Sequence, residues 1–439
     1  MVYSKEDMLI HNIKLSSVGP SCAIESGVVH EPSGMDLAMK LHYLIGVYLF
    51  KSDAAEGLTT MVIKESMFYW LNDYYVVSGR FRRSDSGRPY VKCNDCGVRF
   101  IEAECEKTVD EWLEMRDYSL NKQLVYHLPI GPEISFSPPV FFQVTRFKCG
   151  GMSLGLSWAH ILGDAFSACE FINKWGQAVS KIPADRPPIL PRPPPTPTDN
   201  IPKPRTPPPA HTKPNYPLSI KRVDPVGDRW VPSDNFKMNT FSFHLTSTHM
   251  TRLQSKCDPQ PIPPFESLCA VVWKCIAKIR DHAESPNIVT LFKRDPNNLK
   301  SGKLGNTAMI STVEAEFSVA DAELGKLGKL LAEEGSDERG EIEEAVEKEN
   351  GVSDFVVYGA NLTFVNMEEA NPYGLEVKGN GAELVWYGIE GVGDKGVVVV
   401  MKDRDGGKGR VVTVILGEDE VVKLKHELRD GGLLLDKDY

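Results

Sequence analysis

The sequence predicts an α/β protein of two similar-sized domains, each a mixed sheet with flanking helices. Three observations predict it. The chain has 439 residues, too long for one ordinary core and suited to two units of roughly 200 residues each. Runs of period two alternate with runs of period 3.6 in both halves. Between the halves, residues 183–232 hold over half of the chain's 31 prolines. Proline lacks an amide donor and clashes in helices, so this stretch reads as an extended crossover linker, with an SH3-type ligand as the lesser alternative. The predicted division is residues 1–182, the linker 183–232, and residues 233–439.

The elements follow in order. "GLTTMVIKESMFYWLNDYY" places Leu58, Met61, Val62, Phe68 and Leu71 at helical spacing. "RPYVKC" and "VRFIEAE" read as strands joined by "CNDCG" as a hairpin turn. Thr108 followed by acidic residues marks a helix start. In "VFFQVTRFKCGGMSLGLSW", Gly150 and Gly151 separate two strand-like runs, which reads as a hairpin. Met152, Leu154, Leu156 and Trp158 alternate there with Ser153, Gly155 and Ser157, the period of a strand. After Asp164 the period changes. Phe166, Cys169, Ile172, Trp175, Val179 and Ile182 recur every three or four residues, as on an amphipathic helix.

The second half restarts with a strand in "FKMNTFSFHL" and a helix in "PPFESLCAVVWKCIAKIRDHA". Residues 321–350 are acidic and helical in pattern, and "FVVYGANLTFV" reads as a strand. "GVVVVMKDRDGGKGRVVTVIL" reads as a hairpin and "DEVVKLKHELRD" as a last helix.

Composition narrows the function. A net charge of −10 argues against broad nucleic-acid binding and against electrostatic attachment to anionic lipid. No run of about 18 apolar residues predicts a transmembrane segment, and the start lacks an apolar signal core. The protein is expected to begin life in the cytosol. Nine scattered cysteines fit reduced thiols. Cys93 and Cys96 have zinc-ligand spacing, but no second pair follows, so no metal is expected. No P-loop lysine and no dinucleotide fingerprint occur.

One stretch carries chemistry, "SWAHILGDAFSA" at residues 157–168. His160 lies where a strand ends and a helix is about to start. A histidine there can face a cleft and act as a general base near neutral pH, or it can be a satisfied structural histidine. Asp164 follows four residues later. It either orients the imidazole from the same helical face or turns away and pairs with an arginine to hold the backbone. Ser157 in "GLSWA" comes close to a serine-hydrolase elbow. The alternation runs straight through it, without the sharp turn that mechanism needs.

These residues carry a family resemblance. His160-Ile-Leu-Gly-Asp164 resembles the His-x-x-x-Asp motif of the plant BAHD acyltransferases. "YYVVSGRF", "CNDCGVRFIEA", "QVTRFKCGGMSLGLSWAH", "FESLCAVVWKC" and "LGN" at residues 304–306 resemble its further landmarks. The resemblance implies two chloramphenicol-acetyltransferase-like domains with a channel between them. It implies acyl-CoA as substrate, with no permanently bound cofactor, and an acceptor hydroxyl or amine. His160 would be the general base, reached from both ends of the channel, and Asp164 a structural support of the motif. Arg294 in "TLFKRDP" is a candidate partner for Asp164.

The chain also departs from the pattern. The family's Asp-Phe-Gly-Trp-Gly loop reads Asn371-Pro372-Tyr373-Gly374-Leu375 here, without its aspartate or tryptophan. Ala165 follows Asp164 where the family usually has glycine. "MDLAMKLHYLIGVYLFK" and "IEGVGDKGVVVV" resemble the Eceriferum-2/Glossy-2-like branch of cuticular wax synthesis. That resemblance implies a monomer that promotes elongation of very-long-chain fatty acyl-CoA as accessory to a 3-ketoacyl-CoA synthase. It would work in the cytosol or on the cytosolic face of the endoplasmic reticulum, held there by its partner. CoA-dependent acyl transfer by His160 is the alternative.

Overall fold

The structure is a computed structural model that describes residues 9–180, 216–232, 237–255, 262–280, 285–297, 304–333, 335–404, 407–431 and 433. Its first large sheet takes β1 (Ile10–Val18), β2 (Tyr43–Phe50), β3 (Val98–Cys105), β4 (Val140–Phe147) and β5 (Met152–Ala159) from the first half. The second half supplies β6 (Met238–Leu245), β7 (Ile288–Lys293), β8 (Met309–Glu314), β9 (Leu362–Asn366), β10 (Leu384–Glu390), β11 (Val397–Lys402) and β12 (Arg410–Gly417). The sheet orders are β1-β3-β4-β5-β2-β10 and β6-β12-β11-β9-β7-β8. Both are mixed. β3 runs parallel to β4, and β9 runs parallel to both β7 and β11. The helices include α1 (Gly34–Ala38), α2 (Thr60–Trp70), α3 (Ala165–Ser180), α4 (Pro264–Ile279), α5 (Leu324–Ala332), α6 (Arg339–Lys348) and α7 (Glu418–Asp430).

Several expected elements stand where the residues placed them. The hairpins at Gly150-Gly151 and in the valine-rich segment both form. Thr108 caps its helix with a reciprocal bond to Glu111. The acidic segment is two helices rather than one, α5 and α6, which turn Leu327, Leu331, Ile342 and Val346 inward.

Three features differ from the sequence reading. "CNDCG" is not a hairpin turn. Pro89–Lys92 pairs within a small separate sheet, whereas β3 joins the large sheet between β1 and β4. Cys93 is buried and Cys96 exposed, so the two thiols face different surroundings. Second, β10 lies beyond residue 233 in sequence but pairs with β2, from Leu384↔Leu49 to Glu390↔Tyr43, and extends the first sheet. Third, "FVVYGANLTFV" is two strands, Asp354–Val356 and β9, broken at Tyr358-Gly359. Of the crossover, residues 183–215 lie outside the described residues. Beyond them Lys221–Val223 pairs with Asp354–Val356, and Trp230 is buried with its carbonyl accepting from Tyr43 Oη at 2.9 Å.

The two halves share apolar core. Along β11, Val398 and Val400 pack with Leu268, Val272 and Ile276 of α4. Their alternating neighbours Val397, Val399 and Met401 join the cluster that holds Leu156 and Trp158 of β5 and Ile172 of α3. Period two in a strand buried on both faces reads as an unbroken apolar run, which is why "VVVV" serves two cores at once. The end of β5 therefore lies against the second sheet instead of facing solvent.

Candidate functional site

β5 stops at Ala159, one 3₁₀ turn covers His160–Leu162, and α3 begins at Ala165. Gly163 makes the turn possible. Its φ is +151°, and a Cβ there would meet Ser167 Cβ at 2.8 Å and the Gly305 amide nitrogen at 2.9 Å. The Trp158 indole donates to the Gly163 carbonyl at 2.8 Å and fixes its direction.

Asp164 is the N-cap of α3 by geometry. Its Oδ1 accepts from the Ser167 amide at 3.0 Å. Its Oδ2 turns to the segment after residue 303 and accepts from the amides of Thr307 (2.7 Å) and Ala308 (2.9 Å) and from Thr307 Oγ1 (3.2 Å). Of the two jobs open to Asp164, holding backbone is the one these bonds describe. Arg294 is not its partner. That guanidinium donates to the Glu369 carbonyl at 3.2 Å and lies over the Phe166 ring. The difference is physical. Backbone amides at the start of a helix and in a tight loop already supply the donors a carboxylate needs.

"LGN" closes the same knot. The Gly305 carbonyl accepts from the Asp164 amide (3.2 Å) and from Ser167 Oγ (2.9 Å). Asn306 Nδ2 donates to the His160 carbonyl (2.9 Å) and to Asp36 Oδ1 of α1 (2.8 Å).

His160 has no solvent-exposed surface. Its Nε2 is 2.9 Å from Tyr358 Oη, and its Nδ1 has no hydrogen-bond partner among the described residues. Its amide donates to the His42 carbonyl at 3.0 Å. His42 Nε2 in turn accepts the amides of Val357 (3.0 Å) and Tyr358 (3.3 Å). Amides only donate, so this nitrogen is bare and His42 is neutral, with its proton on Nδ1. The Tyr358 ring packs edge-on against both imidazoles, 5.1 Å from His42 and 5.2 Å from His160 between centroids.

The sequence reading missed His42, Asn306 and Tyr358 as site residues. His42 and Asn306 lie in stretches singled out only as landmarks. Tyr358 was hidden by reading one strand through it, although Gly359-Ala360-Asn361 signals a break.

Burial pushes the His42 imidazole down to about 3, and proximity to His160 adds to this. Burial likewise pushes His160 down to about 4, partly offset by the Asp164 carboxylate. Both folded values lie below the ordinary 6.5, so the unfolded chain binds more protons between them. Stability from these two rings is full above 6.5 and falls as the pH drops toward 4 and then 3. Each unit of depression corresponds to about 1.4 kcal/mol. The urea midpoint is therefore expected to fall steeply between pH 6.5 and 4. A midpoint that stays flat across that range would contradict neutral burial.

Ser157 does not join His160. Its hydroxyl is 2.8 Å from His127 Nδ1, and its backbone pairs with Phe141 on one side and Ile45 on the other. Neighbouring amides are thus committed to the ladder, which leaves no oxyanion donors beside it. The loop that departs from the family pattern sits on α3. Asn371 is left-handed (φ +51°), Asn173 of α3 donates to its carbonyl at 3.1 Å, and Leu375 is fully buried. A cavity of about 350 Å³ lies elsewhere, floored by Leu253, Val271 and Cys275.

A family model described as the Transferase family matches residues 31–430. The chain belongs to the Transferase family. These are the BAHD acyltransferases that the motif resembles. Protein ECERIFERUM 26 of Arabidopsis thaliana is 44% identical over 429 residues, covering 97% of this chain and 96% of that protein. Protein ECERIFERUM 2 of the same plant is 38% identical over 435 residues, covering 95% and 98%. Among solved structures, F. graminearum TRI101 complexed with coenzyme A and deoxynivalenol superposes with a TM-score of 0.66 at 13% identity, over 93% of this chain and 99% of that one. The likeness to that transferase shows the shared two-domain α/β fold.

Proposed function

We propose that this chain promotes elongation of very-long-chain fatty acyl-CoA for cuticular wax, as accessory to a 3-ketoacyl-CoA synthase. Acyl-CoA is the ligand class, in keeping with the coenzyme A in the fold-related TRI101 complex. No described helix is long and apolar enough to cross a membrane, so the partner would bring the protein to the cytosolic face of the endoplasmic reticulum. The observation that carries the reading is the enclosure of His160. A general base must come within about 2.6–3.2 Å of the heavy atom whose proton it takes. Here Nε2 is sealed in the core shared by both halves, at 2.9 Å from a protein hydroxyl. The near-full-length relation to the ECERIFERUM proteins and the replaced Asn371–Leu375 loop support it.

The second reading is CoA-dependent acyl transfer to a hydroxyl or amine with His160 as base. The retained strand-to-helix placement of His160 and the intact Asp164 network favour it. One variant separates the two. In cells supplied with a condensing enzyme, His160→Ala is expected to leave chain extension within about twofold of wild type, because base catalysis is not required. The accessory reading falls if purified wild type moves acyl groups from CoA to an alcohol and the variant does not.

A further inference from the structure

We propose that Tyr358 is a built-in stopper of the His160 site, its hydroxyl standing where the hydroxyl of an acyl acceptor would have to stand. The proposal rests on the accessory reading and deepens it by naming the residue that excludes acceptors. The position of the phenol comes first. Tyr358 Oη is 2.9 Å from Nε2, the distance at which a general base takes a proton. Whichever nitrogen of His160 carries the proton, that approach is filled.

The second argument is how firmly the phenol is held. Its ring is packed by His42, His160 and Phe292, the last with centroids 4.7 Å apart. Its amide and that of Val357 both end on His42 Nε2. His42 also accepts the His160 amide on its carbonyl, so one residue ties the stopper to the strand end it blocks. On the other side the Tyr358 carbonyl accepts from the Gly393 amide at 2.9 Å. Gly359 follows with φ +85°, packed so closely that a Cβ would lie 2.5 Å from the Gly393 carbonyl oxygen. This break in the strand presents one hydroxyl to one nitrogen and is anchored on both flanks. A loop built to swing would lack such anchors.

The test uses the full chain. Diethyl pyrocarbonate carbethoxylates accessible neutral imidazoles, and peptide mapping reads the rate at each histidine. In wild type, His160 is expected to react at least tenfold more slowly than the half-exposed His11. In Tyr358→Ala that gap closes by tenfold or more. The same variant is expected to hydrolyse palmitoyl-CoA at least tenfold faster than wild type. Water then takes the vacated place and its oxygen bonds the thioester carbonyl carbon as His160 accepts its proton; the C–S bond breaks, palmitic acid is released, and His160 passes the proton to the CoA thiolate. The Tyr358→Ala/His160→Ala double variant loses this gain.

Tyr358→Phe keeps the ring and serves if the alanine variant fails to fold. Its His160 Nε2 nitrogen resonance must move, because only the hydrogen bond is removed. An unmoved resonance overturns the proposal. So does a folded Tyr358→Ala protein in which His160 stays protected, or is exposed without hydrolysis. Acylation of Tyr358 itself by palmitoyl-CoA in wild type would also overturn it, by making Tyr358 the acceptor. Chain extension in cells is scored on wild type alone. Failure there removes the accessory reading, while the Tyr358 variants still decide whether the phenol blocks His160.

Discussion

Lys40→Met is expected to lower folding stability by about 3–5 kcal/mol, the cost typical of leaving one member of a buried ion pair alone. Lys40 Nζ is 2.8 Å from Asp354 Oδ1, with side chains 1% and 4% exposed. It also donates to the Ser353 carbonyl at 3.0 Å. The pair joins the segment after α1 to the short strand Asp354–Val356, so it links the two halves of the chain. Burial lowers the Lys40 pKa, and Asp354 only partly offsets that. The ammonium is thus held there against its own solvation preference. Methionine keeps the length of the side chain but strands Asp354 in the core. Urea unfolding measures the loss. Lys40→Met/Asp354→Leu is expected to recover at least half of it, since two apolar groups leave no uncompensated charge. A single variant within about 1 kcal/mol of wild type, below the range for a broken buried pair, would contradict the pair's role.

Asp164→Ala is the second large effect. It removes the N-cap of α3, worth about 0.5–2 kcal/mol. It also strips the acceptor from the Thr307 and Ala308 amides, at about 1–3 kcal/mol for a buried donor left unmet. A total loss of about 3 kcal/mol or more is expected. Hydrogen exchange at the amides of residues 307 and 308 should quicken along with it. Asp164→Asn retains one acceptor oxygen and should fall between the two. If Asp164→Ala leaves exchange at these amides unchanged, the carboxylate does not hold this loop.

Much of the local structure was legible in the residues. Alternation from Met152 to Trp158, the glycine pair before it and the helical spacing from Phe166 define strand, turn and helix around His160. Those signals are local, because side-chain periodicity and cap chemistry act within one or two turns. The pairing of strands was not legible in the same way. "CNDCG" has the composition of a hairpin tip, yet the strands on either side take partners in different sheets. Leu384–Glu390 crosses back to the first sheet, beside residues more than 300 positions earlier. A strand's own pattern specifies a buried face and leaves its neighbour open. Arg294 looked like a partner for Asp164 on charge alone, but backbone amides already occupied both carboxylate oxygens.

The residues by themselves determined the family motif, its place between a strand and a helix, and the α/β class. Only the tertiary structure decided what His160 meets. Tyr358 is 198 positions away and reaches Nε2 because two sheets share one core and a strand breaks at Gly359. Contacts of that span depend on how whole layers pack, and no local period or spacing encodes them.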